Sequence, residues 1–564
     1  MRLPFHRLIR HKSPPAEGRR WVYVPYDQLT DRIGPLAEHP PEELGIVLVE
    51  SAWKAGRRPV HKQKLALILA NMRHFALEQA ERGVAVDYRF SRRPYDQVLA
   101  DVIAERGPLV CMRPAERELR AVLEPLTVDG RLTFVPHAGW LTTEEDFRLG
   151  AGDAPPWRMD AFYRHVRKKT GILMDRDKPV GGRYSFDGDN RESWAGDPAA
   201  PSPPSFYVDP ITVEVADLID EHYAHHPGTL SLRHLPVTRK HAEGLWGWAV
   251  AHCLPRFGPY EDAMSRESRG LFHTRISPLL HLHRLLPEDV VHSALRADIP
   301  LNSKEGFVRQ VLGWREFVRH VHEATDGFRD LPGLDVPIAE NPGDGGFSAW
   351  SGATFTPTRG PDGGAAPSVL NAQMDVPAAF WGTESGLSCL DTVVTELWEE
   401  GWTHHIPRLM VLSNLATLLG VSPRALTDWF WVAYIDAFDW VVEPNVLGMG
   451  TFGAGEVMTT KPYVSGSAYI HKMSDYCSAC RFHPKKTCPI TPMYWNFLDE
   501  NEAALAENQR MKLPLASLAR RGSDRRAEDA AIAAHVRQTL SRGEALTVES
   551  VQDAAADVHA QASK

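Results

Sequence analysis

Cysteine is scarce: there are six in 564 residues, and Cys111 and Cys253 lie far from the other four. That count does not suggest a disulfide framework, and a reducing cytoplasm fits it better. No apolar run approaches the roughly 20 residues of a spanning helix, so no membrane partner is expected. The N-terminus lacks the apolar core of a secretory signal. Residues 1–20 carry Arg2, Arg7, Arg10, Lys12, Arg19 and Arg20 against Glu17 alone, which reads as a disordered basic extension. No Gly-x-Gly-x-x-Gly follows the first apolar strand, so an ordinary dinucleotide fingerprint is absent. A net charge of −9 argues against indiscriminate nucleic-acid binding while leaving room for a local basic groove.

What the chain does have is length, tryptophan and two kinds of periodicity. At 564 residues it is too long for one core, so two domains plus linkers are expected. Its 43% hydrophobic and 24% charged residues describe a globular protein. Sixteen tryptophans suit a chain that handles an aromatic cofactor or moves electrons. Residues 21–140 alternate short apolar runs (Trp21–Pro25, Ile46–Val49, Val84–Tyr88, Pro108–Met112, Leu132–Val135) with helical stretches, which predicts an α/β parallel sheet covered by helices. Residues 141–235, rich in Gly, Pro and Asp, read as an interdomain linker. Helical periodicity then runs over 236–515, exemplified by Ile406, Leu409, Met410, Leu412 and Leu415. A Gly/Pro-rich insertion interrupts it at 332–366, and 516–564 reads as a loosely attached tail.

Four motifs carry chemistry. Cys389, Cys477, Cys480 and Cys488, the last followed by Pro489, could surround one metal centre. From spacing alone zinc and an iron–sulfur cluster both stand. Leu271-Phe-His-Thr-Arg-Ile-Ser-Pro278 gathers hydroxyls, a guanidinium and backbone donors suited to a pyrophosphate, although a plain helix start at Ser277-Pro278 also explains it. Asn302–Phe317 packs Glu305, Arg309, Trp314 and Arg315 into one helical motif that could be an ion-pair network. Gly401-Trp-Thr-His-His-Ile-Pro-Arg-Leu-Met410 sets two adjacent histidines at a helix start. They cannot share a helix face, so a titratable imidazole at a pocket mouth and a buried one holding a carbonyl are the alternatives.

Trp-Arg-Glu-Phe317, Leu-Phe-His-Thr-Arg-Ile-Ser-Pro278 and Gly-Trp-Thr-His-His-Ile-Pro-Arg-Leu-Met410 resemble the flavin-binding half of the photolyase/cryptochrome family. The four cysteines, Asp436-Ala-Phe-Asp-Trp440, Pro444-Asn445, Lys461-Pro-Tyr463 and His471–Tyr476 are similar to its iron–sulfur bacterial branch. His61-Lys-Gln-Lys64 and Met72-Arg-His-Phe75 extend the likeness, which covers roughly residues 21–515. It implies an α/β antenna domain joined to an all-α FAD domain that carries a [4Fe–4S] cluster on the four cysteines.

The implied activity is light-driven repair of (6-4) pyrimidine–pyrimidone photoproducts in UV-damaged DNA by a cytoplasmic monomer. A cryptochrome-like photoreceptor is the alternative. The resemblance implies FAD contacts from Tyr260, His273, Thr274, Arg275, Ile276, Ser277, Gln310, Arg315, Arg408, Asp436 and Asn445. It implies proton transfer from His405 with His404 beside it, Tyr463 at the lesion, and electron transfer through Trp429, Trp381 and Tyr469. Glu50 matches an antenna position, the antenna being 6,7-dimethyl-8-ribityllumazine. Asp187 and Asp189 could hold a divalent cation or form a solvated acidic turn.

Several positions depart from the branch pattern. Tyr26-Asp-Gln-Leu29 stands where Gly-Asp-Gln-Leu is usual. Phe430 replaces a redox-capable tyrosine, Leu280-His-Leu-His283 replaces Leu-Asn-x-Gly, and Leu409 stands where animal and plant (6-4) enzymes have a second histidine.

Overall fold

In the computed structural model, residues 4–339 and 364–562 are described. Most of the insertion at 332–366 therefore lies outside the described residues. The first part is a five-stranded sheet of β1 (Arg20–Tyr23), β2 (Leu44–Ser51), β3 (Ala85–Ser91), β4 (Leu109–Met112) and β5 (Leu132–Val135). Every neighbouring pair is parallel, in the order β3-β2-β1-β4-β5. Strand β2 is buried from Leu44 through Glu50 because helices cover both sheet faces, which is why its sequence is apolar without alternation. Strand order reverses between β1 and β4, so the ligand crevice of this topology lies at their C-terminal ends.

The N-terminal extension is not disordered over its described part. Phe5–Lys12 forms a helix, α1, whose Phe5 and Ile9 are buried while Arg7, Arg10 and Lys12 face outward. Phe5 meets Tyr88 of β3 edge-on at 4.8 Å and lies under Arg73 of α2 (Lys62–Glu81). Burying one aromatic ring contributes about 2–3 kcal/mol, enough to order a short amphipathic helix that already has a surface to dock on.

The segment 141–235 is likewise more than a connection. It contains α3 (Glu144–Ala151), closed by a reciprocal Thr143–Asp146 capping box, α4 (Met159–Thr170) and α5 (Pro210–His222). Arg167 of α4 is fully buried and donates to the carbonyls of Ile172, Leu173 and Tyr184, so its charge is spent inside the protein.

From Arg239 onward the described chain is mainly helical, and four stretches widen into π-type turns: Ala249–Cys253, Arg309–Arg315, Pro407–Ser413 and Pro444–Gly450. Pro407 and Pro444 lack the N–H that a regular turn requires, and such wide turns gather at functional sites. The tail is ordered too. Ser523–Ser541 buries Ile532, Ala533, Val536 and Leu540 in the same core as Phe497 and Leu498 of Ile490–Glu500. Among the described residues no helix is long and apolar enough to cross a membrane.

Candidate functional site

The expected cofactor residues converge from three separate segments. Ser277, opening the short helix Ser277–His281, donates its hydroxyl to Asp436 at 2.6 Å. Arg408, in the π turn after the histidines, grips the same carboxylate with two nitrogens at 3.0 Å and bonds the Thr403 carbonyl. Burial opposes ionisation of Asp436, yet the Arg408 charge and hydrogen bonds, with Ser277, hold its carboxyl below the usual range. His281 donates to the Asp436 carbonyl at 2.9 Å and His283 to that of Asp27 at 2.6 Å. The Leu280-His-Leu-His283 departure thus has a structural use: both rings tie backbone across segments.

A second group lies beside it. His273 stacks on His404 with centroids 4.1 Å apart and planes 11° apart, and His405 meets His273 edge-on at 5.5 Å. One ring nitrogen from each lies within 4.8 Å of the others. His273 and His404 are buried, with Nε2 of the first and Nδ1 of the second unpartnered. Burial, then the neighbouring imidazoles, pushes both pKa values well down, so both rings are neutral. His405 is different: its side chain is 42% exposed, with Nε2 3.9 Å from Asp262. Asp262 also accepts the Tyr469 hydroxyl at 3.2 Å, and burial raises its carboxyl pKa. Tyr469 therefore belongs with the histidines, and Asp262, which has no spacing signal, escaped the sequence reading.

The remaining expected contacts divide. Gln310 donates to Glu261 at 2.6 Å, and Asn190 donates to the same carboxylate at 2.8 Å. Arg315 lies against Trp140 at 4.3 Å with Nε and Nη2 buried and unpartnered, free to meet an acceptor. Tyr260 stacks on Phe272 at 5.2 Å, Thr274 and Ile276 are buried, and the Asn445 amide donates to the Val441 carbonyl. Arg275 is instead committed to Glu400 at 2.6 Å and covers Trp402, so it reaches a phosphate only by leaving that pair. Tyr463 stands apart, half-buried and bonded to Thr459. The orphaned donors of Arg315 and the open nitrogens of His273 and His404 suit a polar, aromatic group such as FAD. Clefts of 550 and 620 Å³ lie elsewhere, under Asn371–Met374 and beside α1.

Trp429 is wholly buried and Trp381 nearly so, and the structure links them through a ring the sequence reading did not single out. Trp398 stands edge-on to Trp429 at 6.1 Å and stacks on Trp381 at 5.0 Å with planes 14° apart. Its signal, a lone tryptophan among acidic residues on Ser388–Glu400, resembled surface packing.

All four cysteines of the expected metal group are free thiols, Cys389 buried and the others half-buried. Burial, followed by the charges of Cys488, Cys480 and Cys477, drives the Cys389 thiol well up, and burial lifts Cys477 to about 11 and Cys488 to about 12. Four thiols that repel one another as thiolates fit a cationic centre, which would ionise them.

Two expectations are corrected. Glu50 is not presented to a ligand: Arg73 donates to both its oxygens at 3.0 and 2.8 Å, Tyr88 adds a third bond at 2.7 Å, and α1 covers the group. Asp187 and Asp189 do not form a shared cation site, because Asp187 pairs with Arg191 and Arg309 and Asp189 with Arg183.

Along most of its length the chain is similar to known proteins. Residues 22–234 match the family described as deoxyribodipyrimidine photo-lyase-related protein, and residues 362–473 match the FAD binding domain of DNA photolyase. A (6-4) photolyase of Agrobacterium fabrum is 32% identical over 525 residues, 89% of this chain and 96% of the relative. A bacterial class III photolyase from Agrobacterium tumefaciens shares the fold at a TM-score of 0.51 and 16% identity, covering 97% of this chain and 98% of that one. The cryptochrome of Synechocystis sp. PCC6803 superposes with the same TM-score and identity over 78% of this chain and 83% of its own. A parallel-sheet domain, a helical FAD-binding domain and a relative of this similarity along nearly its whole length place the chain in the photolyase/cryptochrome family.

Proposed function

We propose that this protein is a light-driven DNA-repair enzyme of the (6-4) type, acting in the cytoplasm as a monomer on UV-damaged DNA. One observation carries the reading: the half-exposed His405 beside Asp262, backed by the buried, neutral His404–His273 stack. The Agrobacterium fabrum relative named as a (6-4) photolyase supports the same substrate.

Reduced FAD, when bound, supplies the electron on excitation. Ser277, Asp436, Arg408, Arg315, Gln310 and Asn445 are the residues that would hold it. Asp436 stays ionised through Arg408, so a fixed negative charge sits among neutral and cationic donors. The damaged dinucleotide must leave the helix stack, at a cost of a few kcal/mol that is smallest at a lesion. Tyr463 offers it an aromatic face, and His405, with the Asp262 carboxylate 3.9 Å from its Nε2, donates a ring proton to the lesion. Trp381, Trp398 and Trp429 provide oxidisable rings in contact, leading toward the core of the helical domain. The four cysteines are read as ligands of a [4Fe–4S] cluster that is mainly structural.

Duplexes bearing one (6-4) photoproduct or one cyclobutane dimer, illuminated with the reduced holoenzyme, test this reading. Loss of the (6-4) lesion is expected, and His405→Ala should lower it by about 10²–10⁴-fold with FAD retained. Repair of the cyclobutane dimer alone would overturn the substrate. Repair of neither would favour a cryptochrome-like photoreceptor.

A further inference from the structure

We infer that the α/β crevice of this protein is closed to an antenna chromophore and works instead as a clamp between the two halves of the molecule. The crevice of a sheet ordered β3-β2-β1-β4-β5 opens where β1 and β4 end, and the chain leaving β1 there is Val24-Pro-Tyr-Asp-Gln28. Tyr26 fills that space. It is only 6% exposed, its ring lies 6.4 Å from Tyr95 and 6.4 Å from Phe438, nearly parallel to the latter, and the Lys54 ammonium sits 5.9 Å from its centre. Gln28 donates to the Met112 carbonyl at 2.9 Å and stitches the two strand ends together.

Phe438 belongs to the helical half, so the filling is also the seam. Arg58 lies over the Trp431 ring at 4.1 Å, and Lys64 donates to the carbonyls of Trp431 and Ala437 at 3.2 and 2.6 Å. The space left beside Tyr95 is a cavity of about 10 Å³, lined by Trp53, Lys54, Arg57, Glu118 and Leu119 among others. That is barely room for one water, whereas ligand pockets run to about 300–1,000 Å³. Neighbouring strand residues point to opposite faces: Ser51 bonds Tyr95 on the crevice side, while Glu50 is consumed by Arg73 and Tyr88 on the other. With Tyr26 in place and only that small cavity beside Tyr95, a bicyclic ring finds no room among these residues, so light capture falls to the flavin of the helical half alone.

Binding measured in the dark tests this without reference to repair. The full-length holoprotein is titrated with 6,7-dimethyl-8-ribityllumazine and followed by fluorescence anisotropy and retention through gel filtration. The wild type should retain none, and its excitation spectrum should contain flavin bands only. Tyr26→Phe should behave identically, because the Tyr26 hydroxyl is buried without a partner. Tyr26→Gly should gain binding at least about tenfold over wild type. Stoichiometric lumazine on the wild type, or a folded Tyr26→Gly that gains nothing, would overturn the proposal. Should Tyr26→Gly fail to fold, the wild-type titration decides alone.

Discussion

Trp398 shows how a single side chain takes its meaning from neighbours distant in sequence. Read on its helix, it is one aromatic in an acidic run. In the fold it bridges Trp429 and Trp381 and lies 5.9 Å from His61 in a parallel stack. With Phe430 in place of an oxidisable tyrosine, Trp398 is the ring that keeps the run unbroken. Trp398→Phe should slow photoreduction of bound flavin by about tenfold, equivalent to about 1.4 kcal/mol of barrier. The measurement is flavin bleaching under blue light with an external thiol reductant. An unchanged rate would move the path elsewhere. Asp262 teaches the same lesson, since only the fold brings His405 and Tyr469 to one carboxylate.

At the level of elements, the helix Ser388–Glu400 brings Cys389 close enough to Cys477, Cys480 and Cys488 for their charges to act on its thiol. The C-x2-C pair, the Cys-Pro and a distant Cys389 were legible in the sequence as one candidate metal group. Cys480→Ala should leave three cysteines, too few to hold a [4Fe–4S] cluster fully, and lose visible cluster absorption, folded yield and FAD together. Elemental analysis and absorption of the purified variant check this. A folded, FAD-loaded, fully active variant, or zinc in place of iron in the wild type, would contradict the cluster. Helix α1 and the ordered tail were missed for a common reason. Their apolar residues are few, and only the complementary surfaces of β3, α2 and Ile490–Glu500 make those few sufficient.

Across the whole molecule, buried histidines set the response to acid. Burial depresses His61 and His283 to about 4 and His281 to about 3. Below about pH 6.5 the unfolded chain takes up protons that these rings refuse, so their contribution, full above 6.5, is lost as pH falls toward 4. Each should cost about 2 kcal/mol between pH 7 and 5, lowering the urea midpoint markedly over that interval. Asp27 runs the opposite way. Burial lifts its carboxyl to about 7, so its contribution is present at low pH and declines as pH rises through 7. Asp27→Asn should therefore stabilise the protein more at pH 8 than at pH 5, as read by urea midpoints at the two values.

By itself the sequence determined the element types, through apolar runs for buried parallel strands and 3.6-residue stripes for helices. It also determined which residues bear chemistry, because thiols, imidazoles and guanidinium groups declare themselves by type. Tertiary structure alone decided which of them meet. Ser277, Arg408 and Asp436 come together, whereas Arg275 turns to Glu400 and Glu50 disappears into an ion pair with Arg73. The same is true of Tyr26: a tyrosine in place of glycine is visible in the sequence, but its closing of the crevice depends on Phe438 arriving from the other half of the chain. Pairing energies act over a few ångströms, and those distances are set by packing between segments hundreds of residues apart.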